Sequence, residues 1–342
     1  MSYLVTGGAG FIGSHLCEKL LSMKKRVYAI DNLSTGSYQN ISSLKSHPNF
    51  SFFVGDISDS ELMEDLVKKS KAIYHLAAAV GVRHIIDNPV ETLESNVFGS
   101  QVVFSLAAKY NRKTILTSTS EVYGKSGKKI FSEDIDLVMG ASTKKRWGYA
   151  CSKLLDEFLA LAYHEKKGLP VIIARLFNTV GPRQTGRYGM VVPTFVKQAL
   201  AGEPITVFGS GLQSRCFCHV DEIVNALVSL VNEDKAIGEV INLGNTYPIS
   251  IFELAQKIKE ITGSTSEIVT VPYNYAYTRG FEDMEHRIPD IRKARKLIGF
   301  NPHKTISDII HDVVGFYGQQ NMLSQERKIE QAPPYKQIRK VI

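Results

Sequence analysis

Cysteine is scarce in this chain. Its 342 residues hold four, Cys17, Cys151, Cys216 and Cys218, and no two of them form a C-x-x-C pair. Cys216-x-Cys218 lacks a second ligand pair at zinc spacing, so no metal site and no disulfide framework are expected. Buried or half-buried reduced thiols are the better reading. If Cys216 and Cys218 share one strand, side-chain alternation puts both on one sheet face. Long apolar runs are missing too. No stretch approaches the length of about 18 residues that a membrane span needs. The opening residues, Ser2-Tyr3-Leu4-Val5, begin a strand with no basic leader or cleavage site, so a cytoplasmic location is expected. There is no internal repeat.

Acidic residues fall short of basic ones, 34 against 41, for a formal net charge of +7. The surplus gathers in Lys24-Lys25-Arg26, in Lys144-Lys145-Arg146 and in the tail from Arg327 to Lys340. No aromatic side chains interleave these runs as they do in single-strand binders, so nucleic acid is not the expected partner. A basic cleft for a small polyanion accounts for the same surplus.

What the chain does have is alternation. Leu4-Val5, Val27–Ile30, Phe50–Val54, Ala72–Leu76, Thr114–Thr117 and Val171–Ala174 read as apolar strands. Amphipathic segments of helix length separate them at Gly13–Met23, Glu61–Lys69, Pro89–Tyr110 and Gly148–Lys167. This β-α-β order predicts an α/β fold, a doubly wound, Rossmann-type parallel sheet with helices on both faces. The length exceeds what one core usually holds. After about Asn178, glycines and prolines break the pattern into shorter elements. Residues 1–177 are therefore expected to form the nucleotide-binding domain. Residues 178–318 would form a smaller C-terminal substrate-binding lobe, with segments returning to the first domain. Residues 319–342 read as a polar tail, poorly ordered or laid on the surface.

Thr6-Gly7-Gly8-Ala9-Gly10-Phe11-Ile12-Gly13 lies between the first strand and the first helix, with Gly7, Gly10 and Gly13 in G-x-x-G-x-x-G spacing. Such glycines permit a tight turn and close backbone approach to a pyrophosphate, which the helix N-terminus then holds. Asp31, at the end of the second strand, can accept hydrogen bonds from ribose hydroxyls and repels a 2′-phosphate, which favours NAD over NADP. Asp56-Ile57, after the third strand, can meet an adenine; capping the strand end is the alternative for Asp56.

Tyr149-x-x-x-Lys153 puts a phenol and an ammonium on one helical face. A phenol with its usual pKa of about 10 is a poor base at neutral pH. A neighbouring ammonium and the positive nicotinamide would stabilise the phenolate and tune it to take a proton from a hydroxyl. Thr119, in Thr117-Ser118-Thr119-Ser120-Glu121, follows a strand and can share that proton; ordinary turn chemistry is the alternative.

With these blocks in view, the chain resembles the extended short-chain dehydrogenase/reductase family of NAD-dependent nucleotide-sugar epimerases, dehydratases and decarboxylases. The likeness rests on T-G-G-A-G-F-I-G from Thr6, H-L-A-A from His75, S-T-S-E-V-Y-G from Ser118, Y-x-x-x-K from Tyr149 and R-L-F-N-T-V-G-P-R from Arg175. It runs from Met1 to about Phe316. The resemblance implies Thr119, Tyr149 and Lys153 as a catalytic trio, with Ser120 and Glu121 beside them. It implies Gly7, Gly10, Phe11, Ile12, Gly13, Asp31, Asn32, Asp56, Ile57 and Ala77 as cofactor positions, joined by Tyr149 and Lys153. Asn178, Val192, Phe208, Arg215 and Arg287 match the nucleotide-sugar pocket. Arg215 and Arg287 would clamp the diphosphate, since guanidinium forks suit phosphate oxygens. A surface ion pair is the alternative for Arg287, and Arg279 is a second candidate for the same clamp.

The resemblance also narrows the reaction. Dehydratases of this group carry an adjacent Asp-Glu pair; here the Asp position is Ser120, which disfavours dehydration. Ala77-Ala78-Ala79-Val80-Gly81-Val82-Arg83 and Pro182-Arg183-Gln184-Thr185-Gly186-Arg187-Tyr188-Gly189 resemble a 4-epimerase branch. The first reading is thus a UDP-glucose or UDP-glucuronate 4-epimerase. The alternative is a UDP-glucuronate decarboxylase, which the Thr119-Ser120-Glu121 triplet resembles. Arg83 and Arg187 would recognise a uronate carboxylate or else lie solvated in loops. UDP as the nucleotide follows from the resemblance alone, as does a homodimer joined by Pro89–Tyr110 and Gly148–Lys167 in a four-helix bundle. A silent NAD-binding regulator on the same fold is the reading from another class. Retention of Thr119, Tyr149 and Lys153 together argues against it.

Overall fold

The computed structural model describes residues 1–79, 88–186, 190–272 and 287–330. Its strands β1 (Ser2–Thr6), β2 (Arg26–Asp31), β3 (Phe50–Val54), β4 (Ala72–His75), β5 (Lys113–Thr119), β6 (Val171–Leu176) and β7 (Val240–Leu243) share one parallel sheet, ordered β7-β6-β5-β4-β1-β2-β3. The helices among the described residues are α1 (Phe11–Ser22), α2 (Ser60–Lys69), α3 (Pro89–Lys109), α4 (Arg146–Lys167), α5 (Val191–Ala201), α6 (Val220–Val231), α7 (Ile251–Thr262), α8 (Arg292–Ile298) and α9 (Ile306–Glu330).

The sheet is apolar on both faces because both are covered. Leu4, Val5, Ile73, Ile115, Leu116 and Val171 to Ala174 are fully buried. Parallel strands need crossovers, and each crossover lays a helix over a face. Leu16 and Leu20 of α1, Ile223 and Leu227 of α6 and Ala294 of α8 pack on one side. Met63 and Leu66 of α2, Val103 and Phe104 of α3 and Ala160 of α4 pack on the other. Strand order reverses between β1 and β4, which opens a crevice at their C-terminal ends, where sheets of this kind bind ligands.

β7 comes from residues 240–243, so the chain returns to the first sheet after leaving it. Between and beyond these residues a second core forms. Val192, Phe195 and Val196 of α5 meet Leu254 and Ile258 of α7 and Ile309, Ile310 and Val313 of α9. A short parallel ribbon, Ile205–Phe208 on Ile268–Val271, lies at its side. The start of α9 is set locally: the Thr305 hydroxyl accepts from Asp308 N at 3.2 Å, and the Asp308 carboxylate accepts from Thr305 N at 2.8 Å.

One expectation changes. Cys216 ends one short strand and Cys218 begins another, so the pair does not alternate within a single strand. Both thiols are buried. α9 runs past Gly318 to Glu330, and the rest of the expected tail, residues 331–342, lies outside the described residues.

Candidate active site

The dinucleotide end is built from backbone. Gly7 has φ of +70°, and a Cβ there would stand 2.9 Å from Ala77 N. A Cβ on Gly13 would lie 2.1 Å from the Gly7 carbonyl oxygen, so only hydrogen fits where α1 packs on the loop. The N-cap of α1 is Gly10, with no capping side chain and no acidic residue in the first turn. Its N–H groups thus keep their capacity for an anion. Asp31 accepts from Ala9 N at 2.9 Å and Leu33 N at 2.8 Å. Burial raises its carboxyl pKa against those hydrogen bonds. It therefore braces the glycine loop as well as bordering the cleft. Asp56 caps the chain after the third strand and also borders the cleft. It accepts from Ser58 N at 2.9 Å and from Asn32 Nδ2 at 2.8 Å while lining the cleft. Burial pushes its carboxyl up, but the Ser58 and Asn32 hydrogen bonds outweigh that and leave it below the usual range.

The reactive groups converge from β5 and α4. Thr119 ends β5, and its hydroxyl accepts from Glu121 N at 3.2 Å. The same side chain hydrogen-bonds to Tyr149. Burial first, and then the charges of Glu121 and Asp156, hold the Tyr149 phenol well above its ordinary value. The expected lowering of this phenol includes the positive nicotinamide of a bound cofactor as well as the lysine. The Lys153 ammonium donates to Asp156 Oδ2 at 2.8 Å, so much of its charge is already offset. Ser120 is buried beside them.

For Arg287 the structure bears on one of its two expected readings. It is not a surface pair: its guanidinium is buried, pairs with Glu121 just after β5 and lines the cleft, where the expected diphosphate clamp would stand. Arg215 is buried as well, and its NH1 donates to Ser214 O at 2.8 Å. Asn178, with φ of +29°, donates from Nδ2 to Cys216 O at 3.2 Å. Val192 and Phe208 complete this end. Every candidate within the described residues, from Gly7 to Arg287, lines one continuous cavity of about 1080 Å³. Arg83, Arg187 and Arg279 lie outside the described residues. The glycine cradle, the uncapped helix end and the carboxylate of Asp31 fit a dinucleotide, and the rest of the cavity leaves room for a second ligand at the trio.

Several buried polar groups were not anticipated from sequence. Glu157 accepts a fork of hydrogen bonds from Arg175, 3.0 Å from Nε and 2.7 Å from NH2, and a third at 2.5 Å from Ser118. Arg175 in turn stacks over Tyr123. Asp156, His75 and Ser100 lie behind Lys153. One signal was available: Asp156 and Glu157 stand three and four residues after Lys153, a spacing that shares its helical face.

Comparison with known proteins agrees with this geometry. Residues 4–313 match the family model described as GDP-mannose 4,6 dehydratase. The UDP-N-acetyl-alpha-D-glucosaminuronate decarboxylase of Bacillus cytotoxicus is 42% identical over 301 residues, covering 88% of this chain and 92% of that protein. UDP-glucuronic acid decarboxylase 1 of Xenopus tropicalis is 35% identical over 324 residues, 92% of this chain and 71% of that one. Among solved structures, the UDP-glucuronic acid 4-epimerase of Bacillus cereus, in complex with UDP-glucuronic acid and NAD, superposes with a TM-score of 0.84 at 31% identity. That match covers 94% of this chain and 100% of the other. The chain belongs to the extended short-chain dehydrogenase family of nucleotide-sugar epimerases, dehydratases and decarboxylases.

Proposed function

We propose that the chain binds NAD and a UDP-linked hexuronate and removes the sugar carboxylate as carbon dioxide, leaving a UDP-pentose. The observation that carries this reading is the pairing of half-buried Glu121 with buried Arg287, two residues along from the catalytic hydroxyl of Thr119. An arginine there can orient a substrate carboxylate, and the glutamate disfavours that carboxylate's charge. Relatives named as uronate decarboxylases, at 42% and 35% identity, support it. The order thus reverses the one suggested by the loop motifs, which put epimerisation first.

NAD, held by the glycine loop and Asp31, would supply a reversible acceptor for the C4 hydride. Tyr149, as phenolate, takes the C4 hydroxyl proton while Thr119 hydrogen-bonds at the same place. The C4 ketone stands β to the carboxylate, so the C5–C6 bond breaks with its electrons passing to the ketone oxygen. The Tyr149 proton meets the charge on that oxygen. A proton from water would add at C5, and with the C4 hydride restored the product is a UDP-pentose at the starting oxidation level, the carboxylate having left as carbon dioxide.

A 4-epimerase acting on the same substrates is the second reading, favoured by the likeness to the Bacillus cereus enzyme. NMR and mass analysis of incubations with UDP-glucuronate, UDP-N-acetylglucosaminuronate and UDP-glucose separate the two. A UDP-pentose with carbon dioxide release is expected. An inverted C4 at unchanged mass would replace decarboxylation by epimerisation. Tyr149→Phe should slow either reaction by about 10²- to 10⁴-fold.

The proposal includes a homodimer. Val90, Leu93 and Phe98 on α3 and Leu155 and Phe158 on α4 are exposed, with Phe98 at 57% and Phe158 at 64%. The two helices pack on each other, so these side chains supply an apolar surface suited to a four-helix junction between copies. No helix among the described residues is long and apolar enough to cross a membrane. Free thiols at all four cysteines suit the reducing cytoplasm, where we place the protein.

A further inference from the structure

Behind Tyr149 and Lys153 lies a polar cluster that the reaction above does not use. Lys153 is 2% exposed and Asp156 0%, and Nζ donates to Asp156 Oδ2 at 2.8 Å. Asp156 Oδ1 has no hydrogen-bond partner among the described residues. The Ser100 hydroxyl of α3 faces this carboxylate. Ser100 also hydrogen-bonds His75 Nε2 at 3.0 Å, and His75 Nδ1 meets the Thr6 hydroxyl at 2.8 Å. That hydroxyl accepts from Ala77 N at 3.1 Å, at the edge of the glycine cradle. The other charges nearby are already engaged. Glu157, next on α4, is forked by Arg175 of β6, and Glu121, facing Tyr149 from the end of β5, is paired with Arg287.

We propose that Asp156 is a positioning residue for the Tyr149–Lys153 pair, anchoring the ammonium in the buried wall and offsetting its charge. Two opposite ions buried together are tolerable, whereas a lone buried ion is costly. With Asp156 charged, the Lys153–Asp156 pair is neutral, and ionising Tyr149 leaves one net negative charge in the wall. Without the carboxylate, the same ionisation leaves a neutral Tyr149–Lys153 pair. Coupled groups share their macroscopic ionisation, so the proton leaves more readily in the second case. Asp156 thus makes the base depend on positive charge from beyond its own helix, which the oxidised cofactor brings when bound. The remaining cluster members hold the carboxylate's surroundings: His75 is neutral, its pKa lowered by burial and by Lys153 to about 3.

The role rests on Tyr149 being the base of the oxidation step, whichever product leaves. The test is an ultraviolet tyrosinate titration of the full chain loaded with NAD, with Tyr149→Phe as the blank, beside the pH profile of kcat/KM. Asp156→Asn should move the Tyr149-dependent transition and the acidic limb of the profile about one pH unit lower. Asp156→Ala guards against a misfolded amide variant and should move both in the same direction. KM for the UDP-uronate should stay within about twofold, since the substituted side chain touches no ligand. A transition unchanged or raised in both variants would overturn the role of Asp156. Absence of any Tyr149-dependent transition in the unaltered chain would instead remove Tyr149 as the base, and the oxidation reading with it.

Discussion

His75 shows how a single buried side chain makes the site's surroundings sensitive to acid. It sits on β4 between Thr6 and Ser100, 1% exposed, and its ring is held neutral by burial and by the Lys153 charge. Its pKa is lowered from 6.5 to about 3, so the unfolded chain binds a proton that the folded chain refuses. The stabilisation is present in full above pH 6.5 and is lost as the pH falls toward 3. Melting temperature should therefore drop on acidification, and His75→Gln should flatten that slope while lowering the value at neutral pH. Equal slopes in the two proteins would rule out His75 as the titrating group. The residue is legible in sequence only as part of the H-L-A-A block; its partners are 69 and 25 residues away.

At the scale of elements, α4 is divided between two tasks. One face turns Tyr149, Lys153, Asp156 and Glu157 toward the sheet, while Leu155 and Phe158 face outward at 49% and 64% exposure. A helix that buries charges inward and exposes aromatics outward contradicts the usual amphipathic arrangement unless the outer face is covered. A second copy of α3 and α4 would cover it. Each Phe158 so buried contributes roughly 1.5–3 kcal/mol, and two-fold symmetry counts it twice. Phe158→Glu should accordingly yield a monomer in sedimentation velocity, with the parent chain sedimenting as a dimer. A parent chain that is itself monomeric at micromolar concentration would refute the dimer.

Across the whole molecule, the cavity runs from the glycine cradle of the sheet to the second core. Tyr317 of α9 lines it and donates to Gln184 O at 2.5 Å. A dinucleotide at one end and a nucleotide sugar at the other would therefore contact both cores. Ligands that bind only the folded chain stabilise it by about 2.7 kcal/mol at a hundredfold excess over Kd. NAD and UDP should each raise the melting temperature by several degrees, and the two together by more than either. No shift with NAD would contradict the assignment of the glycine loop; no shift with UDP would contradict that of the Asn178, Phe208 and Arg215 end.

What the sequence determined by itself was local in character. Apolar runs of strand length, helices of 3.6-residue period and the Gly7-Gly10-Gly13 spacing depend on neighbours a few residues apart, and so the sheet and its phosphate loop were readable. The same holds for Tyr149 and Lys153, one helical turn apart. Tertiary structure alone decided the pairings on which the chemistry turns. Glu121 meets Arg287 across 166 residues, and Ser118 meets Glu157 across 39. It also decided that the Lys153 charge is spent on Asp156 rather than left wholly to Tyr149. Contacts of this kind leave no period in the chain, because they arise where separate elements are packed together and each buried charge must find its partner among whatever those elements present.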